Sequence, residues 1–194
     1  MIQYLLWSLF FAIRNNWLEL LKILGAAVAF GIGVSQYRKA QAWKRVEFVA
    51  SEMRFFFDDA QARDARAMLD RRLSEITLRK RPVSVDYEIV AQCLTTDINF
   101  EYEDGLAIRE KFERLLEFLA RFEGFIRAGV VKERDFTPYL DYWLRLLAGN
   151  DRNASAEVTS RVLPALWHFI HTYEYIDVVA FVGRYQTLRK DFRR

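Results

Sequence analysis

One cysteine, two histidines and three prolines are all that this chain of 194 residues holds of those types, and glycine adds only eight. The lone Cys93 has no partner for an internal disulfide, so nothing ties the fold to an oxidising compartment. Scarce proline and glycine beside 52% hydrophobic residues exclude a disordered chain and argue against a turn-rich β sandwich or barrel. With only His168 and His171 present, histidine chemistry is confined to one place. A phosphate loop, a dinucleotide glycine pattern, a Gly-x-Ser-x-Gly elbow and a paired-cysteine motif are all missing. A net charge of +3 is too small to signal nucleic-acid binding.

What the chain does have is a long apolar run. Residues 1–13 are almost wholly apolar, but they fall short of the roughly 20 residues that cross a 30 Å hydrocarbon core. Residues 1–16 are therefore read as an interfacial segment, interrupted by Arg14, Asn15 and Asn16. Residues 17–37 follow and would span about 30 Å as a helix, enough for one crossing. Trp17 stands at one end, with Tyr37 and Trp43 at the other, where interfacial aromatics are expected. Glu19 and Lys22 lie three apart near the start, close enough to pair and reach the headgroups. Four cations, Arg38, Lys39, Lys44 and Arg45, follow the apolar run, the reverse of a cleaved signal peptide. The positive-inside rule then predicts the N-terminus outside and the remainder cytoplasmic, the expected location being the inner membrane of a bacterium; anionic lipid would meet the four cations. Gly25, Ala29 and Gly33 recur at every fourth position, a small-residue seam against which another membrane helix could pack.

Beyond the membrane the periodicity is helical throughout, and the predicted fold is all-α: one transmembrane helix continuing into a cytosolic bundle of five to seven helices. Residues 38–57 read as a juxtamembrane stalk and residues 58–194 as the cytosolic domain. Asp58 and Asp59 would cap a second helix over residues 60–78, ended by the stretch 79–82. Ser84 would cap a short helix to Leu94, and residues 95–104 form an acidic connection. The strongest pattern is Ile108, Phe112, Leu115, Leu119, Phe122 and Ile126, closed by Gly129. Thr137 and Pro138 would open the next helix, stopped by Gly149. Two more helices fit residues 156–173, kinked at Pro164, and 175–190.

Charge is unevenly distributed. Residues 36–81 hold twelve Lys/Arg against seven Asp/Glu, net +5, and residues 82–110 hold one against seven, net −6. The second half of the chain also carries a resemblance. Glu117, Phe118, Leu119, Ala120, Arg127 and Gly129 occupy the positions at which a group of bacterial membrane-anchored helical proteins places an Asn-Phe-Phe-Glu tetrad, then a basic residue and a glycine. Phe118, Arg127 and Gly129 agree in type, and the resemblance implies the same architecture: an N-terminal membrane helix joined to a helical cytosolic domain.

Two constellations could carry chemistry. His168 and His171, with Glu174 and Asp177, step by three along the chain, but each step drifts by about 60° round a helix, so the four cannot converge on one ion. His168 and His171 alone would be half a metal site. Arg161 precedes His168 by seven residues, a spacing that resembles the Arg-x₄₋₆-His motif of HEPN ribonucleases; Val162 and Pro164 depart from that pattern. The simpler reading makes the histidines part of an aromatic neighbourhood with Trp167, Phe169 and Tyr173. No metal or cofactor is expected, and neither is catalysis. The expected role is protein contact, by self-association or as an accessory subunit of a membrane complex, for which the surplus of aromatics (16 Phe, 9 Tyr, 5 Trp) is suited. The alternative is a sensor in which Arg63, Arg66, Arg71 and Arg72 meet a phosphate-bearing ligand and oligomerised membrane segments perturb the bilayer.

Overall fold

The structure is a computed structural model, and it describes residues 2–70, 76–78, 81–83, 85–95, 103–151 and 153–191. The fold is all-α. Helix α1 spans Ile2–Asp58, α2 Ala60–Leu69, α3 Tyr87–Leu94, α4 Glu103–Arg127, α5 Glu133–Leu147, α6 Leu163–Thr172 and α7 Ile176–Asp191. The chain divides between Val46 and Glu47 into two compact units, one of α1 alone and one holding the end of α1 with everything after it.

In the first unit α1 is helical from Ile2, with no break at Arg14, Asn15 and Asn16. These residues interrupt the apolar run but not the helix, because Arg and Asn cost a helix little when no proline or glycine accompanies them.

In the second unit α4 is the central element, packed against α2, α3 and α7. Its apolar stripe, Ile108, Phe112, Leu115, Leu119 and Phe122, is buried as the periodicity required. The end of α1 supplies Val49, Met53 and Phe56, and the Phe56 ring meets those of Phe118 and Phe122 at 5.4 and 5.7 Å. Phe122 in turn touches Phe136 of α5 and Phe181 of α7. Part of the aromatic content thus serves the core: seven phenylalanines and Tyr185 are buried among the described residues. Truncating a ring buried this deeply costs roughly 3–5 kcal/mol.

Ion pairs tie the outer helices to α4. Glu123 is 1% exposed, and both its carboxylate oxygens accept from Arg184 Nε of α7 at 2.9 Å. Arg127 makes a two-pronged contact with Asp177 of α7, at 2.7 and 3.3 Å. Lys111 reaches Asp64 of α2 at 2.6 Å. Glu52 of α1, also buried, accepts from Arg121 at 2.9 Å.

Three helices end in the same way. At α4 the amides of Gly129 and Val130 return to the carbonyls of Ile126 and Phe125; at α5 those of Gly149 and Asn150 return to Leu146 and Arg145. Both glycines sit at positive φ, +71° and +67°, as this turn demands. At α6 Glu174 and Tyr175 make the matching bonds to His171 and Ile170, but the residue at φ 54° is a glutamate.

Four expectations need correction. The helix predicted over residues 60–78 stops at Leu69; Ile76–Leu78 instead forms strand β1, paired antiparallel with β2, Arg81–Val83. β-Branched Ile76 and Thr77 favour that pairing over a helix end, and Pro82 is tolerated because a two-stranded ribbon consists only of edges. Helix α3 is capped by Asp86, whose side chain accepts from Ile89 N–H at 2.8 Å. Ser84, the predicted cap, lies outside the described residues. Helix α5 begins at Glu133, not at Pro138: the Asp135 carboxylate takes the Lys132 amide at 2.9 Å, and Pro138 falls in the second turn. Where a kink is expected at Pro164, a π-helical turn over Val158–Val162 precedes α6, and the Leu163 amide reaches back five residues to Val158. The wider turn gives the proline ring room that a regular ladder denies it.

Candidate functional site

From residue 21 to residue 44 every residue of α1 is exposed, including Leu21, Ile23, Leu24, Val28, Phe30, Ile32 and Val34. Within α1 a stretch of 18 residues reaches a mean hydropathy of 1.7, and none of that stretch is buried. It is one helix, near the N-terminus, long and apolar enough to cross a membrane. Trp17, Tyr37 and Trp43 are 52%, 65% and 75% exposed, so these rings contribute nothing to a core. A Cβ added at Gly25 or at Gly33 would meet no atom within 4 Å. The seam Gly25, Ala29 and Gly33 is therefore open along its length. Arg38, Lys39 and Lys44 are exposed, and Arg45 is half-buried. An open groove of about 430 Å³ lies along one face of the helix, lined by Gly31, Val34, Ser35, Arg38, Lys39 and Ala42. Gly31 and Ser35 did not stand out in the sequence, although their spacing to Arg38 and Lys39, by four and then by three and four, is the signature of one helical face.

The histidine constellation does not assemble into a site. His168 and His171 are both exposed on α6; the His168 ring lies 3.5 Å from Thr172 Oγ1, and His171 faces the Trp167 ring at 5.8 Å. Among the described residues no group of three or more His, Cys, Asp or Glu is placed to hold a metal ion. Arg161 is exposed and pairs with Glu88 of α3. Among the described residues no hydrogen bond joins it to His168, and the π-helical turn that contains Arg161 shifts the helical register on which their pairing depended.

Of the four arginines proposed to meet a phosphate, Arg71 and Arg72 lie outside the described residues. Arg63 is exposed beside Asp64 at 3.8 Å. Arg66 is buried, which the expectation of a solvated or ligand-facing side chain did not anticipate. Its guanidinium stacks on the rings of Phe56 and Phe57, 4.5 and 4.7 Å from their centroids. It donates to the carbonyls of Phe56 and Phe57 at 3.3 and 3.1 Å. Those carbonyls belong to the last turn of α1, where no further amide follows in register, and a cation is favoured at that end of the helix dipole. Arg66 thus closes a helix and leaves no fork for a ligand.

Arg109 is buried likewise, its guanidinium 5.0 Å from the centroids of both Phe169 and Tyr173, whose rings lie 4.5 Å apart, and bonded to the Tyr173 hydroxyl. Cys93 on α3 is buried, and burial pushes its thiol up to about 11 despite the opposing influence of the Arg109 charge. It has the character of a core residue, not of a nucleophile. The acidic residues Asp97 and Glu101 lie outside the described residues, and Glu103 and Asp104 begin α4. Asn153 sits in an exposed turn, and Ser155 Oγ accepts from the Val158 amide at 3.0 Å.

At the positions of the bacterial resemblance, Phe118 is buried in the aromatic core, Arg127 holds Asp177 and Gly129 closes α4. Each has a structural task inside the helical domain. No protein-family model, curated protein or solved structure matches the chain.

Proposed function

We propose that this chain is a single-pass protein of a bacterial inner membrane whose helical cytosolic domain makes protein contacts, as a homo-oligomer or as an accessory subunit of a larger membrane assembly, without catalysis of its own. The observation that carries the reading is the apolar stretch of α1, exposed over its whole length. Water would penalise such a surface by roughly 25 cal/mol for each Å² of apolar area, so a bilayer or a partner must cover it. Arg38, Lys39, Lys44 and Arg45 on its C-terminal side favour a cytoplasmic domain and an external N-terminus. Trp17, Tyr37 and Trp43 act as interfacial anchors, and the open seam of Gly25, Ala29 and Gly33 is where a second membrane helix would approach.

The experiment is purification of the intact chain in a mild detergent, followed by measurement of its mass and of what accompanies it. A discrete oligomer, or a stoichiometric partner, is expected. If the seam is the contact, Gly25→Leu with Gly33→Leu abolishes cross-linking of the oligomer. A monomer with no co-purifying protein overturns the proposal.

A further inference from the structure

The cations after the apolar stretch are not spread evenly round α1. At about 100° per residue, the six residues lining the open groove fall within an arc of roughly 140°. Arg45 also falls inside that arc, about 10 Å further along the axis than Arg38, whereas Lys44 lies about 150° from its centre; the seam of Gly25, Ala29 and Gly33 is centred about 150° away as well. The helix therefore has two unlike faces: a seam of small residues, and opposite it a groove that is apolar at its N-terminal end and doubly cationic at the other.

The groove fits one kind of occupant. Helical side chains lean toward the N-terminus, so the heads of Arg38 and Lys39 reach back over Ser35 toward Gly31. Gly31 leaves the floor low, with no atom within 4 Å of where a Cβ would stand. Val34 and Gly31 lie about 6 and 10 Å along the axis from Arg38, inside the apolar stretch. A molecule that complements this face must pair an anion at the level of residues 35–39 with a hydrocarbon chain running toward residue 31. We propose that this face seats a single anionic phospholipid, its phosphate held between Arg38 and Lys39 with the Ser35 hydroxyl donating to it, and one acyl chain lying along Val34 and Gly31. The inference rests on the reading of α1 as membrane-spanning, and adds to it a place, a chemistry and a stoichiometry. With the lipid on one face, the small-residue seam stays free for a helix on the other.

The test uses the intact chain in mild detergent, titrated with phosphatidylglycerol and, separately, with phosphatidylcholine of the same acyl chains, bound lipid being counted by native mass spectrometry. One phosphatidylglycerol per chain is expected, with a clear preference over phosphatidylcholine. Arg38→Gln with Lys39→Gln should weaken phosphatidylglycerol binding about 25-fold, each cation near a headgroup supplying about fivefold. Lys44→Gln should change it less than about twofold, and Gly31→Leu, which fills the floor and keeps every charge, should weaken it. Equal losses for Lys44→Gln and for a single change at Arg38 would mean diffuse surface charge only and would overturn the proposal, as would indifference to lipid charge. Alkaline carbonate extraction of membranes separates the two readings. Release of the chain sinks both, whereas a chain that stays in the membrane but ignores lipid charge sinks only this one.

Discussion

Glu174 holds the backbone position that Gly129 and Gly149 hold at the ends of α4 and α5, with φ 54°. A side chain at such a turn costs about 1 kcal/mol relative to glycine. Glu174→Gly should therefore stabilise the protein by about that amount, and Gly129→Ala should destabilise it by a similar one. For a chain of this size the two changes move the melting midpoint of the detergent-solubilised protein by about 2–4 °C in opposite directions. The sequence made the glycine ends legible, since each glycine follows the last residue of an apolar stripe, but Glu174 carries no such mark. Cys93 gives a second prediction at this scale. With its thiol raised to about 11 from an ordinary value of 9.0, it stays protonated and shielded at pH 8. Iodoacetamide should leave it unmodified in the native protein and alkylate it fully in denaturant, as mass spectrometry would show. Because the folded value is the higher one, the buried thiol contributes stability below pH 9 that is lost between pH 9 and about 11. Rapid native labelling at pH 8 would contradict the buried placement.

The junction between α1 and α2 shows how elements are held. Arg66 satisfies two carbonyls at the end of α1 while stacking on Phe56 and Phe57. Arg66→Met keeps much of the volume but leaves buried carbonyls without donors, so a loss of about 2–4 kcal/mol is expected in chemical denaturation. Arg66→Lys should not restore it, because an ammonium lacks the planar fork. Asp59, next to this junction, caps α2 by accepting from the Ala62 amide and accepts from Arg114 Nε with its other oxygen, both at 2.9 Å. Burial opposes ionisation there, but those two donors outweigh it and hold the carboxyl below 3.8. Its contribution to stability is thus present above pH 3.8 and lost as pH falls further. Asp59→Ala should cost about 1–2 kcal/mol at pH 7 and progressively less below pH 3.8, which a denaturation series against pH would record. At this scale the sequence was readable wherever one period ran uninterrupted. Helix α4 followed from its apolar stripe almost residue for residue. The end of α2 did not, because Leu73 and Ile76 continue a helical spacing that the pairing of Ile76–Leu78 with Arg81–Val83 overrides. Pro138 likewise looked like a helix start, whereas two acidic residues one turn earlier, Glu133 and Asp135, already supply it.

At the scale of the whole molecule, two kinds of surface meet in one chain. Residues 21–44 present apolar side chains outward, while the unit from Glu47 onward hides most of its described Phe, Leu and Ile in a common core. That contrast was legible from hydropathy alone, since a run of about 20 apolar residues has no place in a helical domain already supplied with a core. The chemistry was less legible. His168, His171 and Arg161 drew attention because histidine is rare, yet the structure leaves all three exposed. Arg66 and Arg109, lost among 22 arginines in the sequence, are the ones buried among the described residues. The proposal that the exposed stretch resides in a bilayer is tested most directly by alkaline carbonate extraction of membranes from cells making the full chain. Retention in the membrane pellet is predicted, with release restored when Leu24 and Val28 are both replaced by Arg; quantitative release of the unaltered chain would contradict the account.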